Sequence, residues 1–277
     1  MTKGIHIWST APGKKKRGGN PYAPAYFELV CLALSALMWR KLNGPIKFYT
    51  DTEAFTWFQL HDLLDIWDGG VDTEALDSIP RSINQEIFWA GSKLFALRAE
   101  TAPVAMVDTD LIIWKPLEDL LDGPLTVLHR EEIIDCYIPM EYLKKRPGYQ
   151  FDPQWDWTVK PCNTAFAYFG DDAFKKQYVD KAIDFMTDNS VYPMEMVSQM
   201  VFAEQRLLAM EARKESIRIN ALIKDPFEED NTLFTHLWGA KQIARSNPEQ
   251  CEILVRAMMN KIREENVVIY DKLLRLA

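Results

Sequence analysis

The sequence predicts an α/β protein with a mostly parallel central sheet flanked by helices. Short apolar runs of strand length recur along the chain, each bounded by Gly, Pro, Asn or Asp, and segments with helical spacing of apolar residues separate most of them. Because parallel strands need a crossover connection, this alternation favours a parallel sheet with helices on both faces. Neither an internal repeat nor a linker interrupts the 277 residues, so one domain is expected.

Five segments are predicted strands because turn residues bound their β-branched and aromatic residues. They are GIHIWST (4–10), PIKFYTD (45–51), the run APVAMV (102–107) that ends at Asp108 and Asp110, GPLTVLHR (123–130) and PCNTAFAYFG (161–170). Ligands of such sheets bind at the carboxyl ends of the strands, so the residues that end these segments are candidate site residues.

Helices are predicted where apolar residues recur every three to four positions. They cover 25–44, which ends at an Asn-Gly C-cap, and then 54–67, 84–100, 171–188, 194–214 and one or two helices between 245 and 277. Three segments read as irregular: the basic loop 11–24, the aromatic insert 140–160 and the loop 231–242.

Composition and charge narrow the class of protein. A net charge of −8 and a pI near 5.2 argue against nucleic-acid binding, which needs a basic face. The four cysteines are widely spaced without a CxxC pair, which indicates a reducing compartment. The N-terminus lacks a signal-peptide core and the chain lacks a membrane-spanning run, so we expect a cytoplasmic protein, with peripheral membrane association left open.

Asp108 and Asp110 follow the apolar run VAMV, where carboxylates are costly unless they are paired or bind a metal. On a strand, residues i and i+2 face the same side, so both carboxylates could bind one Mg²⁺ or Mn²⁺ ion. The alternative is a solvated turn in which Asp108 caps backbone amides. A phosphatase of the haloacid-dehalogenase type also uses Asp-x-Asp, but it needs Thr or Val where Ile112 stands and places the motif after its first strand.

Seven motifs, in their order along about residues 4–242, resemble the GT-A (Rossmann-like) class of nucleotide-sugar glycosyltransferases, bacterial type. They are IHIWST, KFYTD, WAGSKLFAL, VAMVDTDLIIWKPL, CNTAFAYFG, FAEQRLL and FTHLWGAKQ. The resemblance implies one domain over 1–277, with helices from about 245 packed on it. It also implies a metal-dependent, retaining hexosyltransferase of polysaccharide biosynthesis. Its donor would be a UDP-sugar and its acceptor a carbohydrate or glycoconjugate hydroxyl. The alternative is a catalytically silent nucleotide- or glycan-binding protein.

The same resemblance assigns the metal ligands. Asp110 would bind Mn²⁺ or Mg²⁺ directly, Asp108 would bind it through water or hold the ribose or sugar, and His236 would be the third ligand. The alternative for His236 is an ordinary solvent-exposed loop histidine. In the class a lysine follows this histidine by six residues, whereas here Lys241 follows it by five.

The resemblance also assigns the donor-binding residues: Trp8, Ser9, Thr10, Tyr49, Asp51, Lys93, Thr109 and Lys241, together with Asp108. Trp8 to Thr10 end the first strand, where the class binds base and ribose. Asp51 could accept a hydrogen bond from the nucleoside, although DTEAF favours a helix cap. Lys93 and Lys241 would neutralise the diphosphate, with ordinary surface lysines as the alternative.

Catalysis is assigned to Glu204, Gln205 and Asn163. Glu204 would lie beneath the anomeric carbon with Gln205 beside it, and Asn163 would line the sugar pocket, although Ala165 stands where the class commonly has glycine. The alternative is a solvent-exposed Glu-Gln pair on an amphipathic helix. An inverting reaction would need a general base, for which Asp156 and Glu204 are the candidates. The basic loop could close over the diphosphate or be solvated, and the aromatic insert could stack a sugar or cap the core.

Overall fold

The computed structural model describes residues 1–187, 197–224, 232–239 and 246–277, built around a seven-stranded sheet of order β3-β2-β1-β4-β7-β6-β8. The strands are β1 Gly4–Trp8, β2 Ile46–Thr50, β3 Val71–Asp72, β4 Val104–Val107, β6 Leu125–Val127, β7 Phe166–Phe169 and β8 Ile219–Ala221. Of the described strands of this sheet, only β7 is antiparallel to its neighbours. The predicted fold class, a mostly parallel sheet in an α/β protein, is confirmed.

A second, two-stranded sheet pairs β5 Leu111–Ile113 with β9 Phe234–His236 in antiparallel register. The strand predicted to end at Asp108 and Asp110 is β4, and the two aspartates lie in the turn at residues 108–110 between β4 and β5. One prediction is corrected here. The segment 231–242 is not wholly a loop, because β9 pairs with β5 across more than a hundred residues of sequence, a contact that no local pattern indicates.

The helices are α1 Lys14–Arg17, α2 Tyr26–Leu42, α3 Thr52–Leu60, α4 Glu74–Asp77, α5 Ser92–Ala99, α6 Asp172–Met186, α7 Ser198–Val201, α8 Leu207–Lys214, α9 Pro248–Glu265 and α10 Val267–Leu274. Short 3₁₀ turns cover Ala11–Gly13, Leu64–Ile66, Glu118–Leu120 and Met140–Tyr142, and a π-helix, Phe202–Arg206, joins α7 to α8. The helix predicted over 84–100 contains only α5. The helix predicted over 54–67 ends at Leu60, before Asp62 adopts a positive φ.

Two hydrophobic cores cover the two faces of the sheet. In β4, Met106 belongs to one core, which α5, α6 and α8 cover, whereas Ala105 and Val107 belong to the other, which α2 and α9 cover. This alternation is the two-residue period of a strand that is buried on both faces, and it explains why VAMV is apolar throughout. The sheet therefore holds the end of β4 in a fixed place.

The aromatic insert packs on the π-helix. The rings of Phe151, Trp155 and Trp157 lie 5.6, 6.1 and 5.5 Å from the ring of Phe202, and Trp155 is 5% exposed. Of the two roles considered for the insert, these contacts favour a cap on the hydrophobic core over a surface that stacks a sugar.

The last two helices return to the opposite core. In α9, Met258, Met259 and Ile262 are buried against α2, where the Cys31 thiol lies 3.6 Å from the Met258 sulfur. Over the described residues, no helix has both the length and the apolar character required to cross a bilayer.

A glycine at the end of β7 gives a test of this packing. A Cβ atom on Gly170 would overlap the Gly123 carbonyl oxygen, so alanine forces the backbone to shift. We expect Gly170→Ala to lower the free energy of unfolding by about 1–3 kcal/mol in urea titrations. Gly13→Ala is the control, since its Cβ would meet only the end of the Arg17 side chain at 3.6 Å and should cost little. Equal stability of the two variants would contradict the packing described.

Candidate active site

The turn between β4 and β5 presents Asp108 and Asp110 at the carboxyl end of a central strand. The Asp108 amide donates to the Ala165 carbonyl at 2.8 Å, and the Asp110 carbonyl accepts from the Leu237 amide at 2.9 Å. The neighbouring strands β7 and β9 therefore fix both ends of the turn. The two carboxylates converge because of this turn, and not because they alternate along one strand.

Pairing of β5 with β9 brings His236 opposite Leu111 and beside the turn. The His236 Nε2 atom lies 3.7 Å from the Asp110 carboxylate, and one ligand atom from each of Asp108, Asp110 and His236 lies within 4.8 Å of the others. Ligands bound to one divalent ion at about 2.0–2.6 Å can be no more than about 5 Å apart, so these three could share an ion. Two carboxylates and an imidazole suit a divalent cation, Mn²⁺ more than Mg²⁺ because of the nitrogen ligand.

A buried hydrogen-bond chain supports the turn from below. Ser35 in α2 donates to the Leu111 carbonyl at 2.5 Å and lies 3.1 Å from His6 Nε2, while the Trp67 indole donates to His6 Nδ1 at 3.3 Å. Burial lowers the pKa of His6 to about 3 although Asp110 opposes the shift, so His6 is neutral at pH 7. This support was missed at the sequence level, although Ser35 is the only polar residue in the run VCLALSALMW.

Lys93 bridges two carboxylates. Its ammonium lies 2.6 Å from Asp108 Oδ1 and 2.8 Å from Glu204 Oε1. Burial lowers the pKa of Lys93, but the two carboxylates outweigh burial and raise it above its ordinary value, so Lys93 is charged. The alternative of an ordinary surface lysine is therefore wrong.

Asp108 lies in an environment that disfavours its charge. Burial raises the pKa of Asp108 to about 6, Lys93 opposes that shift, and the nearby carboxylates of Asp110 and Glu204 reinforce it. Burial therefore keeps a proton on Asp108 up to a higher pH than on an exposed aspartate, and a cation bound by Asp108 would displace that proton.

Glu204 lies in the π-helix and is 1% exposed. Its Oε1 atom accepts from the Thr164 hydroxyl at 2.8 Å as well as from Lys93. The alternative of a solvent-exposed Glu-Gln pair is wrong for this residue. Gln205 is half-buried and its amide oxygen accepts from the Tyr137 hydroxyl at 2.5 Å.

The other assigned catalytic residue, Asn163, adjoins Thr164. Its Nδ2 donates to Glu131 at 2.7 Å, and its Oδ1 accepts from the Ala165 amide at 3.0 Å. Glu131 had not been selected from the sequence, because its Asn163 contact is formed only in the fold. The Asp156 carboxylate accepts hydrogen bonds from the hydroxyl and the amide of Thr158, and these bonds lower the pKa of the Asp156 carboxyl. A carboxylate with a lowered pKa is a weaker base, so Asp156 does not suit the role of general base.

A cleft of about 730 Å³ opens at the carboxyl ends of β1 and β2. Ser9, Thr10 and Asp51 line it, together with the cations Lys14 and Arg81. Asp51 caps α3 by accepting from the Ala54 amide at 3.0 Å, which confirms the predicted cap, and its other oxygen accepts from the Thr10 amide at 2.6 Å.

The basic loop is bound to the floor of this cleft. Arg17 donates to the Thr10 carbonyl and to Glu53, both at 2.9 Å, and the Thr10 hydroxyl donates to the same Glu53 oxygen at 2.9 Å. The indole of Trp8 donates to the Tyr22 hydroxyl. The basic loop is therefore ordered by these hydrogen bonds along one side of the cleft and is not a purely solvated segment.

Three assigned donor-binding residues have a different status. Tyr49 is fully buried in the core, and its hydroxyl donates to Glu100 at 2.6 Å, so its side chain has no free surface for a nucleotide. Its assignment as a donor-binding residue is therefore corrected, because the side chain points from β2 into the core. Thr109 is half-exposed in the turn. Lys241 lies outside the described residues.

The fold and the site together define an α/β protein with a candidate divalent-metal site at the carboxyl edge of its sheet. Among solved structures, PaToxG glycosyltransferase matches with a TM-score of 0.46 and 12% identity over 99% of this chain and 87% of PaToxG. The galactosyltransferase LgtC, in complex with donor and acceptor sugar analogs, matches with a TM-score of 0.46 and 12% identity over 95% of this chain and 100% of LgtC. Mouse xyloside xylosyltransferase 1 matches with a TM-score of 0.38 and 11% identity over 80% of this chain and 84% of that enzyme. All three are distant likenesses.

In sequence, the model of the family described as "Family of unknown function (DUF6734)" matches residues 5–261, and the chain belongs to that family. No curated protein matches the chain.

The raised pKa of Asp108 predicts that its charge costs stability. Between pH 3.8 and about 6 the folded state holds a proton that the unfolded state has lost, so the cost develops over this range and is complete above it. We expect Asp108→Asn to raise the free energy of unfolding in EDTA by about 1–3 kcal/mol at pH 7.5 and to lose this gain towards pH 4. Urea titrations at both pH values measure it. The exposed Asp135→Asn is the control, and a loss of stability at pH 7.5 would contradict the prediction.

Proposed function

We propose that this protein is a metal-dependent glycosyltransferase that moves a sugar from a nucleotide-sugar donor to an acceptor hydroxyl. The observation that carries the proposal is the convergence of Asp108, Asp110 and His236 within 4.8 Å, beside the Lys93 bridge to Glu204. The order of motifs that resembles GT-A glycosyltransferases supports it. Residues 1–277 would form one catalytic domain, and a cytoplasmic location stays a prediction.

Asp110 and His236 would hold the cation directly, and Asp108 would hold it directly or through water. The cation, Mn²⁺ in preference to Mg²⁺, would supply positive charge to the departing diphosphate. Lys14 and Arg81 line the cleft at the ends of β1 and β2, but the carboxylates of Asp51, Glu53 and Asp77 line it too, so the cation would supply most of the positive charge that the diphosphate needs. Trp8, Ser9, Thr10 and Asp51 would bind base and ribose there, and a UDP-sugar is the proposed donor.

Lys93 and Glu204 would act at the sugar. Lys93 orients Asp108 and Glu204 by bonding to both, and Thr164 fixes the same Glu204 oxygen. Because the Glu204 carboxylate is 1% exposed beneath Lys93 and Thr164, it would act without touching the donor: its charge in a low-dielectric surrounding would stabilise the positive charge that develops at the anomeric carbon as the leaving group departs. A carboxylate at that place suits a retaining hexosyl transfer, with Gln205 and Asn163 lining the pocket. The acceptor would be a carbohydrate or glycoconjugate, in polysaccharide biosynthesis.

The deciding experiment incubates the purified full chain with Mn²⁺ or Mg²⁺ and a panel of nucleotide sugars. Thermal shifts report binding and released nucleoside diphosphate reports turnover. A donor at a hundredfold excess over its dissociation constant should stabilise the protein by about 2.7 kcal/mol. Turnover that needs the metal supports the proposal. A shift without turnover for any donor and any acceptor would replace it by the silent binder.

The metal ligands have their own test. We expect Asp110→Ala and His236→Ala to weaken Mn²⁺ binding by at least about 10- to 100-fold in calorimetry, because that loss is typical even of residues that only orient a ligand. His61→Ala is the matched control, since His61 stacks on Trp57 at 4.1 Å and lies outside the cluster. Equal Mn²⁺ affinity in all three variants would rule out this site.

Glu204 is tested by a substitution that keeps its shape. We expect Glu204→Gln to lower kcat at saturating Mn²⁺ by about 100-fold or more, a larger effect than its change in Mn²⁺ affinity, because Glu204 adds to the negative charge of the site but is not one of the three grouped ligands. Glu211→Gln is the matched control: Glu211 is also fully buried but bonds Trp155 and Gln177, so its loss should lower stability and leave kcat unchanged. If Glu204→Gln keeps wild-type kcat, Glu204 has no role in catalysis.

A further inference from the structure

A π-helix interrupts the α-helical layer between α7 and α8. Phe202–Arg206 widens the helix for one turn between α7 and α8, with Glu204 at its centre. Such turns are rare and occur frequently at functional sites, because they place one side chain out of the ordinary helical order. The contacts of Glu204 with Lys93 and Thr164 therefore depend on this turn keeping its form.

Arg206 ends the π-helix and is 5% exposed. Its guanidinium donates to the carbonyls of Tyr137 and Ile138, both at 2.9 Å, and to the Trp157 carbonyl at 2.7 Å. It also lies 5.0 Å from the centre of the Trp157 ring. Among the described residues, it forms no ion pair with a carboxylate. A buried charge whose partners are backbone carbonyls holds those segments in place rather than neutralising another charge.

The neighbouring residue joins the same segment. Gln205 accepts from the Tyr137 hydroxyl at 2.5 Å, and its carbonyl accepts from the Cys162 amide at 3.1 Å. Tyr137 is thus bound at its side chain by Gln205 and at its backbone by Arg206. On its other side, the Glu204 carbonyl accepts from the Tyr178 hydroxyl at 2.7 Å. The turn is held from the insert, from the segment around Tyr137 and from α6.

We infer that Arg206 is a positioning residue that holds the π-helix against residues 137–138 and 157, and thereby holds the Glu204 carboxylate against Lys93 and Thr164. The role of Glu204 in sugar transfer rests on the proposed function, whereas the placement of the turn by Arg206 does not. Lysine cannot replace this arginine, because one ammonium does not match three carbonyls in two segments as a planar guanidinium does.

The first test needs no turnover. Hydrogen exchange followed by mass spectrometry is measured on the full chain and on Arg206→Met and Arg206→Lys. We expect faster exchange in peptides that contain 202–206 and 137–138, larger for Met than for Lys. The matched control is Lys175→Met: Lys175 is another buried cation that donates to backbone carbonyls, those of Leu97 and Glu100. Its loss should affect the peptide around 97–100 and leave 202–206 unchanged.

The second test separates positioning from stability. We expect Arg206→Lys to lower kcat by up to about 100-fold, the effect of displacing a catalytic group by about 1 Å, while donor KM and Mn²⁺ affinity stay unchanged. If Arg206 acts through Glu204, Arg206→Lys should add less than about threefold to the loss in Glu204→Gln. Lys175→Met should lower the melting temperature without this kcat effect.

The outcomes are distinguishable. Unchanged hydrogen exchange at 202–206 in both Arg206 variants overturns the inference. The inference is also overturned if the kcat loss of the double variant equals the product of the losses in Arg206→Lys and Glu204→Gln. If the wild-type chain transfers no sugar, the proposed function fails, and the exchange measurement still decides whether Arg206 holds the turn.

Discussion

The bridge that Lys93 forms between Asp108 and Glu204 is the interaction on which the candidate site depends. It joins three elements, α5, the β4–β5 turn and the π-helix, through contacts of 2.6 and 2.8 Å. Because Lys93 is 15% exposed at its side chain, water weakens these contacts less than it would on an open surface. Without the ammonium, Asp108 and Glu204 would repel each other in a buried place.

The charges of the site are unbalanced in a way that a divalent cation corrects. Asp108, Asp110 and Glu204 with Lys93 give a formal charge of −2 when all are ionised. Burial is the main cause of the raised pKa of Asp108, and the carboxylates of Asp110 and Glu204 add to it. A divalent ion beside His236 would neutralise the negative charge, and an anionic diphosphate would need that ion, because Lys14 and Arg81 share the cleft with Asp51, Glu53 and Asp77.

The sequence predicts the parts of this protein that local patterns determine. The apolar run VAMV locates β4, and the two aspartates after it locate the turn. Local patterns do not indicate which residues these elements contact in the fold. Glu204 lies 111 residues from Lys93, and the strand that carries His236 is three residues long and pairs with β5. Helical periodicity indicated the segment around Glu204 but not its π-helix, which depends on contacts from residues 137 and 157. Tyr49 was misassigned because the direction of a side chain at a strand end is set by tertiary packing.

The site is assembled from elements that separate parts of the chain contribute, so it exists only when the fold is complete. Its ligands come from the β4–β5 turn and β9, its bridging cation from α5 and its buried carboxylate from the π-helix. Each is fixed by a neighbour that binds no ligand itself: Ser35 beneath Leu111, Thr164 beside Glu204 and Arg206 behind it. The cores on both faces of the sheet set the distances between these neighbours, because close-packed interiors resist small displacements. The cost of a charged Asp108 in a buried place can therefore be maintained, since the surrounding packing does not relax to relieve it.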